Sequence, residues 1–326
     1  MAEIASRLQT AQPALRARAR IGPRGRREIV WFYVFISPWL VGFLFLTLVP
    51  MVMGFVLSLS NFNGLNWATM KFVGAANYVH ALTDSQLWSS LRLTLLFTIV
   101  SVPLGLAVSL GLALLVNQEI RGKGIFRTLL YLPSFIPVVA GALAWRIFAD
   151  KNSGLINGLL SWLRPGTALP WLTDLAPATL LMFVLWGGVG SGMIVLLGGL
   201  QAVPQDLREA ALIDGANEWQ ALRYVTLPIM SPVLFFQLTI GIIGSLQILV
   251  PPLLLAASGY GSGTTVYTPP PQSIYMYLVY VFIQIFGNQA FAYGIAMLWI
   301  LFVIVLLLTL LVFRTSRGWV HYEVEQ

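Results

Sequence analysis

Two histidines, no cysteine and twelve carboxylates are the stock of side chains from which this 326-residue chain could build a catalytic or metal centre. His80 and His321 stand far apart in the chain, one in a loop and one near the C-terminus, so no imidazole pair can grip a metal and no histidine-based triad can be assembled. Without cysteine there is no disulfide, no thiolate nucleophile and no thiolate metal site. Gly122-Lys123-Gly124 lacks the flanking glycine and hydroxyl spacing of a phosphate-binding loop, so no nucleotide site is visible. The sequence therefore predicts no catalytic residue, no metal and no cofactor in this chain, and any energy input must come from a partner. The carboxylates cluster once: Asp206, Glu209, Asp214 and Glu218, four of the twelve, lie within one short stretch.

That stretch, Val203 to Pro228, reads as two short helices. Pro204 suits a first helical turn, Asp206 favours the same end electrostatically, and Gly215 suits the left-handed position that closes a helix. Asn217 with Gln220 three residues on predicts a capped second helix, ended by Pro228. Leu207, Ala210 and Ala211 share one stripe with Glu209 beside it, and Trp219 and Tyr224 add exposed aromatics. Two readings follow from the residues: a docking surface for another protein, or an amphipathic helix pair lying on a membrane.

The elements that must hold this loop are apolar. Only 10% of residues are charged and 58% are hydrophobic, against about 25% charged in soluble domains, which excludes a soluble globule, a disordered chain and a coiled coil. Five windows carry no Asp, Glu, Lys or Arg: residues 29–70, 93–118, 128–145, 175–205 and 224–313. Each can hold a helix of about 20 residues across a ~30 Å hydrocarbon core, and the last holds two, since Gly259-Tyr-Gly-Ser-Gly and Pro269-Pro-Pro-Gln interrupt it. The expectation is an all-α polytopic membrane protein with six spans, near residues 30–58, 91–117, 126–148, 176–201, 229–257 and 290–313. A β-barrel is excluded by runs such as Leu301 to Phe313, which are continuous rather than alternating.

Arginines and lysines orient these spans. Seven arginines precede the first span, Arg121, Lys123 and Arg127 join the second to the third, Arg208 and Arg223 the fourth to the fifth, and Arg314 and Arg317 follow the sixth. Fourteen cations thus fall on one side against five on the other, which predicts that both termini are cytoplasmic. The same position beside the first span makes orientation, not nucleic-acid binding, the reading of the basic N-terminus. The apolar run from Trp31 is too long for a secretory signal and no small-residue cleavage site is obvious. No ionisable residue falls inside a span, and Glu119 and Asp150 sit at span ends, which disfavours a proton-driven carrier but leaves sodium coupling through carbonyls and hydroxyls open.

Two spans carry unusual polarity. Span four holds Trp186-Gly-Gly-Val-Gly-Ser-Gly192 and then Gly198-Gly199; glycine costs up to about 1 kcal/mol relative to alanine in a helix, so either close packing, with Gly188 and Gly192 four apart, or a cavity-lining backbone is expected. Span five carries Gly241, Gly244, Ser245 and Gln247, the last a costly residue to turn toward lipid. Tyr275, Tyr277 and Tyr280 read as interfacial anchors.

Glu209-Ala210-Ala211, Asp214-Gly215-Ala216, Trp219 and Leu227-Pro228 with Pro232 resemble the coupling loop of binding-protein-dependent ABC importer permeases of the carbohydrate-uptake type, the maltose and glycerol-phosphate transporters. Phe72-Val-Gly with Asn77-Tyr78, Gly122 to Pro133, Trp145 to Phe148 and Asn288 to Ala296 extend the resemblance over nearly the whole chain. It implies a type I importer permease: a basic cytoplasmic segment 1–28, a six-helix domain 29–315 with a coupling loop 202–228, and a cytoplasmic tail 316–326. It also implies a bacterial plasma-membrane location and the partners, namely a second homologous permease, a dimer of ATPase subunits that bind ATP and magnesium, an extracytoplasmic solute-binding protein and membrane lipid. By the same resemblance Glu209 is the charged contact with the ATPase and Gly215 the tight turn. Spans four and five would line the substrate path, at positions matching Val184, Trp186, Ser191, Gly241, Ser245 and Gln247. The family's glycine-rich outer loop is replaced here by Ala256 to Thr265, which leaves the contact with a binding protein undefined. The alternatives are a self-sufficient carrier or channel for a small neutral solute, which would transport without an ATPase, and a membrane-embedded enzyme, for which the spans offer no polar cluster.

Overall fold

A computed structural model describes residues 23–118, 121–255 and 270–321. The chain before Pro23, Glu119, the stretch from Ala256 that departs from the family, and the tail beyond His321 lie outside the described residues. Among those described, the architecture is helical, with one isolated antiparallel bridge between Ser60 and Phe72. Two compact units are present, residues 1–56 and 57–326.

α1 runs Pro23–Phe43, passes through a π-helical turn Leu44–Leu48 and ends with Val49–Ser58, all but its last two residues in the first unit. Pro38 lies inside this helix and has no N–H to give the Val34 carbonyl; the Ser37 hydroxyl donates to that oxygen instead, at 2.9 Å. A serine hydroxyl is one of the substitutes that let a membrane helix tolerate an internal proline.

In the second unit α2 spans Ala76–Thr83, α3 Ser85–Asn117, α4 Lys123–Tyr131, α5 Val138–Phe148, α6 Leu155–Leu163 and α7 Ala176–Ala202. After them come α8 Gln205–Ile213, α9 Glu218–Ala221, α10 Ser231–Leu246, α11 Val250–Leu255, α12 Tyr277–Phe282 and α13 Phe291–Ser316. Among the described residues four helices can cross a membrane unaided, and the expected third and fifth spans are bent pairs, Lys123–Phe135 with Val138–Phe148 at 97° and Glu218–Ile229 with Ser231–Leu246 at 71°. The continuous helices expected over 126–148 and 229–257 are thus corrected. Pro137 forces Ile136 into extended backbone (φ −74°, ψ 124°) and makes the first break. The second falls at Met230, two residues beyond Pro228, which itself sits inside the short helix Leu227–Ile229; the fifth span then stops at Leu246 before α11 restarts.

Lipid is as apolar as leucine, so helices in it associate through close packing and buried hydrogen bonds rather than through the hydrophobic effect. The glycines of α7 show how. A Cβ on Gly190 would fall onto the Leu130 carbonyl and within 2.9 Å of the Tyr131 Cα, and one on Gly192 would sit 2.6 Å from the Ser109 Oγ and 3.0 Å from the Gln237 Nε2. α7 therefore meets α3, α4 and α10 backbone to backbone or nearly so. Gly187, Gly188 and Gly198 have open space where a Cβ would stand. The packing pair is Gly190 and Gly192, not Gly188 and Gly192 as the spacing implies.

The other tie is polar. Asp84 caps α3, its Oδ1 accepting from the backbone N–H of Gln86 at 2.9 Å and of Leu87 at 3.2 Å. Its Oδ2 accepts from the hydroxyls of Tyr280 on α12 (2.5 Å) and Tyr293 on α13 (2.6 Å), so one carboxylate joins three helices. Burial pushes this carboxyl up, but the tyrosine hydroxyls and the two backbone donors outweigh it and hold Asp84 below the ordinary value of 3.8. Tyr275, Tyr277 and Tyr280 are not surface anchors: all three are buried, and the Tyr277 hydroxyl donates to the Met297 carbonyl at 2.8 Å while its N–H donates to the Thr94 hydroxyl. Proline and glycine around residue 270 hid the helix that carries them.

Two outcomes test this packing. Gly190→Ala should cost about 1–3 kcal/mol, since backbone must move, whereas Gly187→Ala and Gly188→Ala should leave the melting midpoint in detergent unchanged or raised. Asp84 has a depressed folded pKa, so its contribution is present above the unfolded value near 3.8 and is lost as pH falls through the lower folded value. Asp84→Asn should therefore lower the midpoint at pH 7 and abolish the part of the acid destabilisation that the wild type shows below about pH 4.

Candidate functional site: a central cavity and an exposed helix pair

A cavity of about 520 Å3 lies among α3, the bend at residues 133–136, α5, α7, α10 and the start of α11. That volume is within the roughly 300–1,000 Å3 of small-molecule sites. Its polar groups are Ser101 and Ser109 from α3, Ser134 from the bend, Ser191 from α7 and Gln237 with Ser245 from α10; no charged side chain lines it. The bend at Pro137 and the open glycines 187 and 188 create the space, because a straight helix with side chains at those positions would fill it.

Of the residues expected in a substrate path, Val184, Trp186, Ser191, Gly241 and Ser245 line this cavity. Trp186 is held in an aromatic cluster, its ring 5.8 Å from Trp145 and 6.1 Å from Phe183, so packing fixes the face it offers. The Ser191 hydroxyl donates back to the Gly188 carbonyl at 2.8 Å. The Ser245 hydroxyl is 3.0 Å from that of Thr98 and 3.3 Å from that of Ser101. Gly241 serves contact as well, since a Cβ there would be 3.0 Å from Val102.

Gln247 does not line the cavity. α10 ends at Leu246, and Gln247 is the exposed residue on which it closes, its N–H donating to the Gly244 carbonyl. The expectation assumed a continuous span, in which a glutamine would need a polar environment. The residues missed are Ser101, Ser109, Ser134 and Gln237. A signal was available: Thr94, Thr98, Ser101, Gly105 and Ser109 recur at helical spacing along one face of α3.

The helix pair on the loop forms as its residues require. Asp206 sits in the first turn of α8, and Gln205 donates from its Nε2 to the Glu209 Oε1 at 2.6 Å. Gly215 has φ +92°, and the Ala216 N–H donates to the Ala211 carbonyl across it, which closes the helix. Asn217 and Gln220 form a reciprocal capping box at α9. An Arg208–Glu218 ion pair at 2.6 Å links the two helices; both partners are largely exposed, so it orients more than it stabilises. Glu209, Ala210, Asp214, Gly215 and Trp219 are exposed, while Ala211 and Ala216 are half-buried against the rest of the loop. Ile213, which the stripe of small residues left out, is 86% exposed, and Leu207, Trp219 and Tyr224 are exposed apolar side chains of the same loop.

Comparison with known proteins agrees with this arrangement. Residues 101–317 match the family described as binding-protein-dependent transport system inner membrane component. The probable ABC transporter permease protein YesP of Bacillus subtilis is 35% identical over 91% of this chain and 94% of its own length. The trehalose/maltose transport system permease protein MalF of Thermococcus litoralis is 33% identical over 73% of this chain and 81% of its own. A crystal structure of a bacterial ABC transporter for import of the acidic polysaccharide alginate superposes with a TM-score of 0.75 over 90% of this chain and 96% of that chain, at 22% identity, which is a likeness of fold. A family match over more than half the chain, joined to a bent-helix bundle around a central cavity, makes this protein a member of the inner-membrane permease components of binding-protein-dependent ABC transport systems.

Proposed function

We propose that this chain is the permease subunit of an ATP-driven importer for a neutral sugar, working by alternating access with both termini cytoplasmic. The observation that carries the reading is the exposed helix pair of residues 205–221: the Gly215 turn and the Asn217–Gln220 capping box fix the junction of its two helices, and Leu207, Ile213, Trp219 and Glu209 stand exposed on it, uncovered among the described residues. A surface so ordered and so apolar fits a groove on another protein. In this reading the groove belongs to an ATPase dimer, which alone binds ATP and magnesium. Glu209 makes the charged contact, and Gly215 lets α8 stop short and turn. Closure of the ATPases moves α8 as a rigid body, and the bent pairs around the cavity convert that movement into a change of access. A second homologous permease and an extracytoplasmic binding protein complete the transporter. The chain itself performs no catalysis.

The solute class rests on the cavity and on relatives. Serine hydroxyls, the Gln237 amide and the Trp186 face suit hydroxyl groups and the apolar side of a pyranose ring, and the lining carries no charge to pair with an ion. Relatives named for trehalose/maltose, lactose and arabinooligosaccharide transport support the same class. A polyol would meet the same groups.

Co-purification tests the coupling. The full chain should bring down an ATPase from its native membranes, and Glu209→Lys and Gly215→Pro should each lose it and lose uptake; assembly and transport by both variants would remove the proposal. In the reconstituted complex, ATPase activity should rise with binding protein loaded with a neutral oligosaccharide and should not rise with a uronate oligosaccharide.

A further inference from the structure

Helix α6 is built inside out. Its one buried polar residue, Asn157, is 4% exposed and points into the protein, where its Nδ2 donates to the carbonyls of Lys151 and Leu169 and its Oδ1 accepts from the Leu169 N–H and the Trp171 Nε1. All four hydrogen-bonding positions of that amide are filled. The opposite face is apolar and bare: Leu155 is 59% exposed, Leu159 63%, Trp162 92% and Leu163 85%, at the i, i+4, i+7, i+8 spacing of a single stripe. A helix that meets water does the reverse.

The helix is also held where this stripe cannot swing away. It starts seven residues after α5 ends, and Gly154 packs so tightly that a Cβ there would overlap the Asp150 and Phe148 carbonyls. Asp150 fixes the turn from within, its Oδ1 accepting from the N–H of Asn152 and Ser153 and from the Ser153 hydroxyl. Ile147 and Phe148, at the end of the bent pair that can cross a membrane, are exposed as well. Lys151 and Arg164, both exposed, flank the helix at its two ends.

We propose that α6 lies in the headgroup–acyl boundary of the bilayer, with Leu155, Leu159, Trp162 and Leu163 against acyl chains and Lys151 and Arg164 at the level of lipid phosphates. Three observations select lipid over a protein partner. The helix begins seven residues after the end of a pair apolar enough to cross a membrane, its exposed stripe carries a tryptophan, the residue type of interfacial belts, and the cations stand at the ends of the stripe rather than in it, as long basic side chains do when they reach up to phosphate. In this position α6 anchors the C-terminal end of α5 against the membrane surface.

The absence of cysteine makes the test direct. Leu159→Cys, Leu163→Cys and, as a water-side reference, Asn152→Cys are each introduced into the full chain and labelled with a nitroxide. The chain is then placed in nanodiscs of mixed neutral and anionic phospholipid, and collision rates with oxygen and with a water-soluble nickel chelate are measured by EPR. The proposal expects oxygen to exceed nickel several-fold at 159 and 163 and the ratio to reverse at 152. Labels at 159 and 163 that collide freely with nickel would show a water-facing helix, and labels shielded from both reagents would show a protein partner; either result overturns the proposal.

Discussion

No water reaches the interior of a bilayer, so every irregular backbone segment there must be satisfied by protein, and helices must come close enough for contact alone to hold them. The second unit depends on this constraint at Gly190 and Gly192. With hydrogen in place of a side chain, α7 reaches the backbone of α4 and the polar ends of Ser109 and Gln237. Once α7 is seated, the bent pair around Pro137 has a wall to lean on, and the Ser134 hydroxyl at that bend donates to the Gly187 carbonyl at 2.9 Å. The cavity is what remains between a helix packed tightly at some glycines and left bare at others.

Asp84 is the polar counterpart of that contact. A carboxylate that caps α3 and accepts from two tyrosines on different helices is restricted to one geometry, because four donors at fixed angles leave it no alternative rotamer. The tight approach at one level seats α7 against α3, α4 and α10, the carboxylate at the other ties α12 and α13 to α3, and the exposed helix pair of residues 205–221 joins the bundle through the break at Met230.

Much of this was legible in the sequence, because charge is the strongest signal a membrane chain carries. Gaps between charged residues locate the spans, and Pro204, Gly215, Asn217 and Gln220 dictate the loop helices through local rules that tertiary contacts do not override. The bends were less legible, since Pro133 and Pro137 permit several geometries and only packing selects 97°. The cavity was half legible. Trp186, Ser191 and Ser245 stood out as odd residues in apolar runs, but Gln247 misled because its helix stops one residue earlier. The buried tyrosines of α12 were read as surface anchors because amphipathic rings serve both places, and only the position of Asp84, far away in sequence, distinguishes them.

The central claim is that the uncharged cavity beside the open glycines is the path of the solute. Gly188 has empty space where a side chain would stand, so Gly188→Trp can be made without disturbing the packing at Gly190 and Gly192. Uptake of labelled sugar into proteoliposomes holding the assembled transporter is the direct measurement. The account predicts that Gly188→Trp assembles with its ATPase at the wild-type level and loses uptake; wild-type uptake with the indole in place would contradict it.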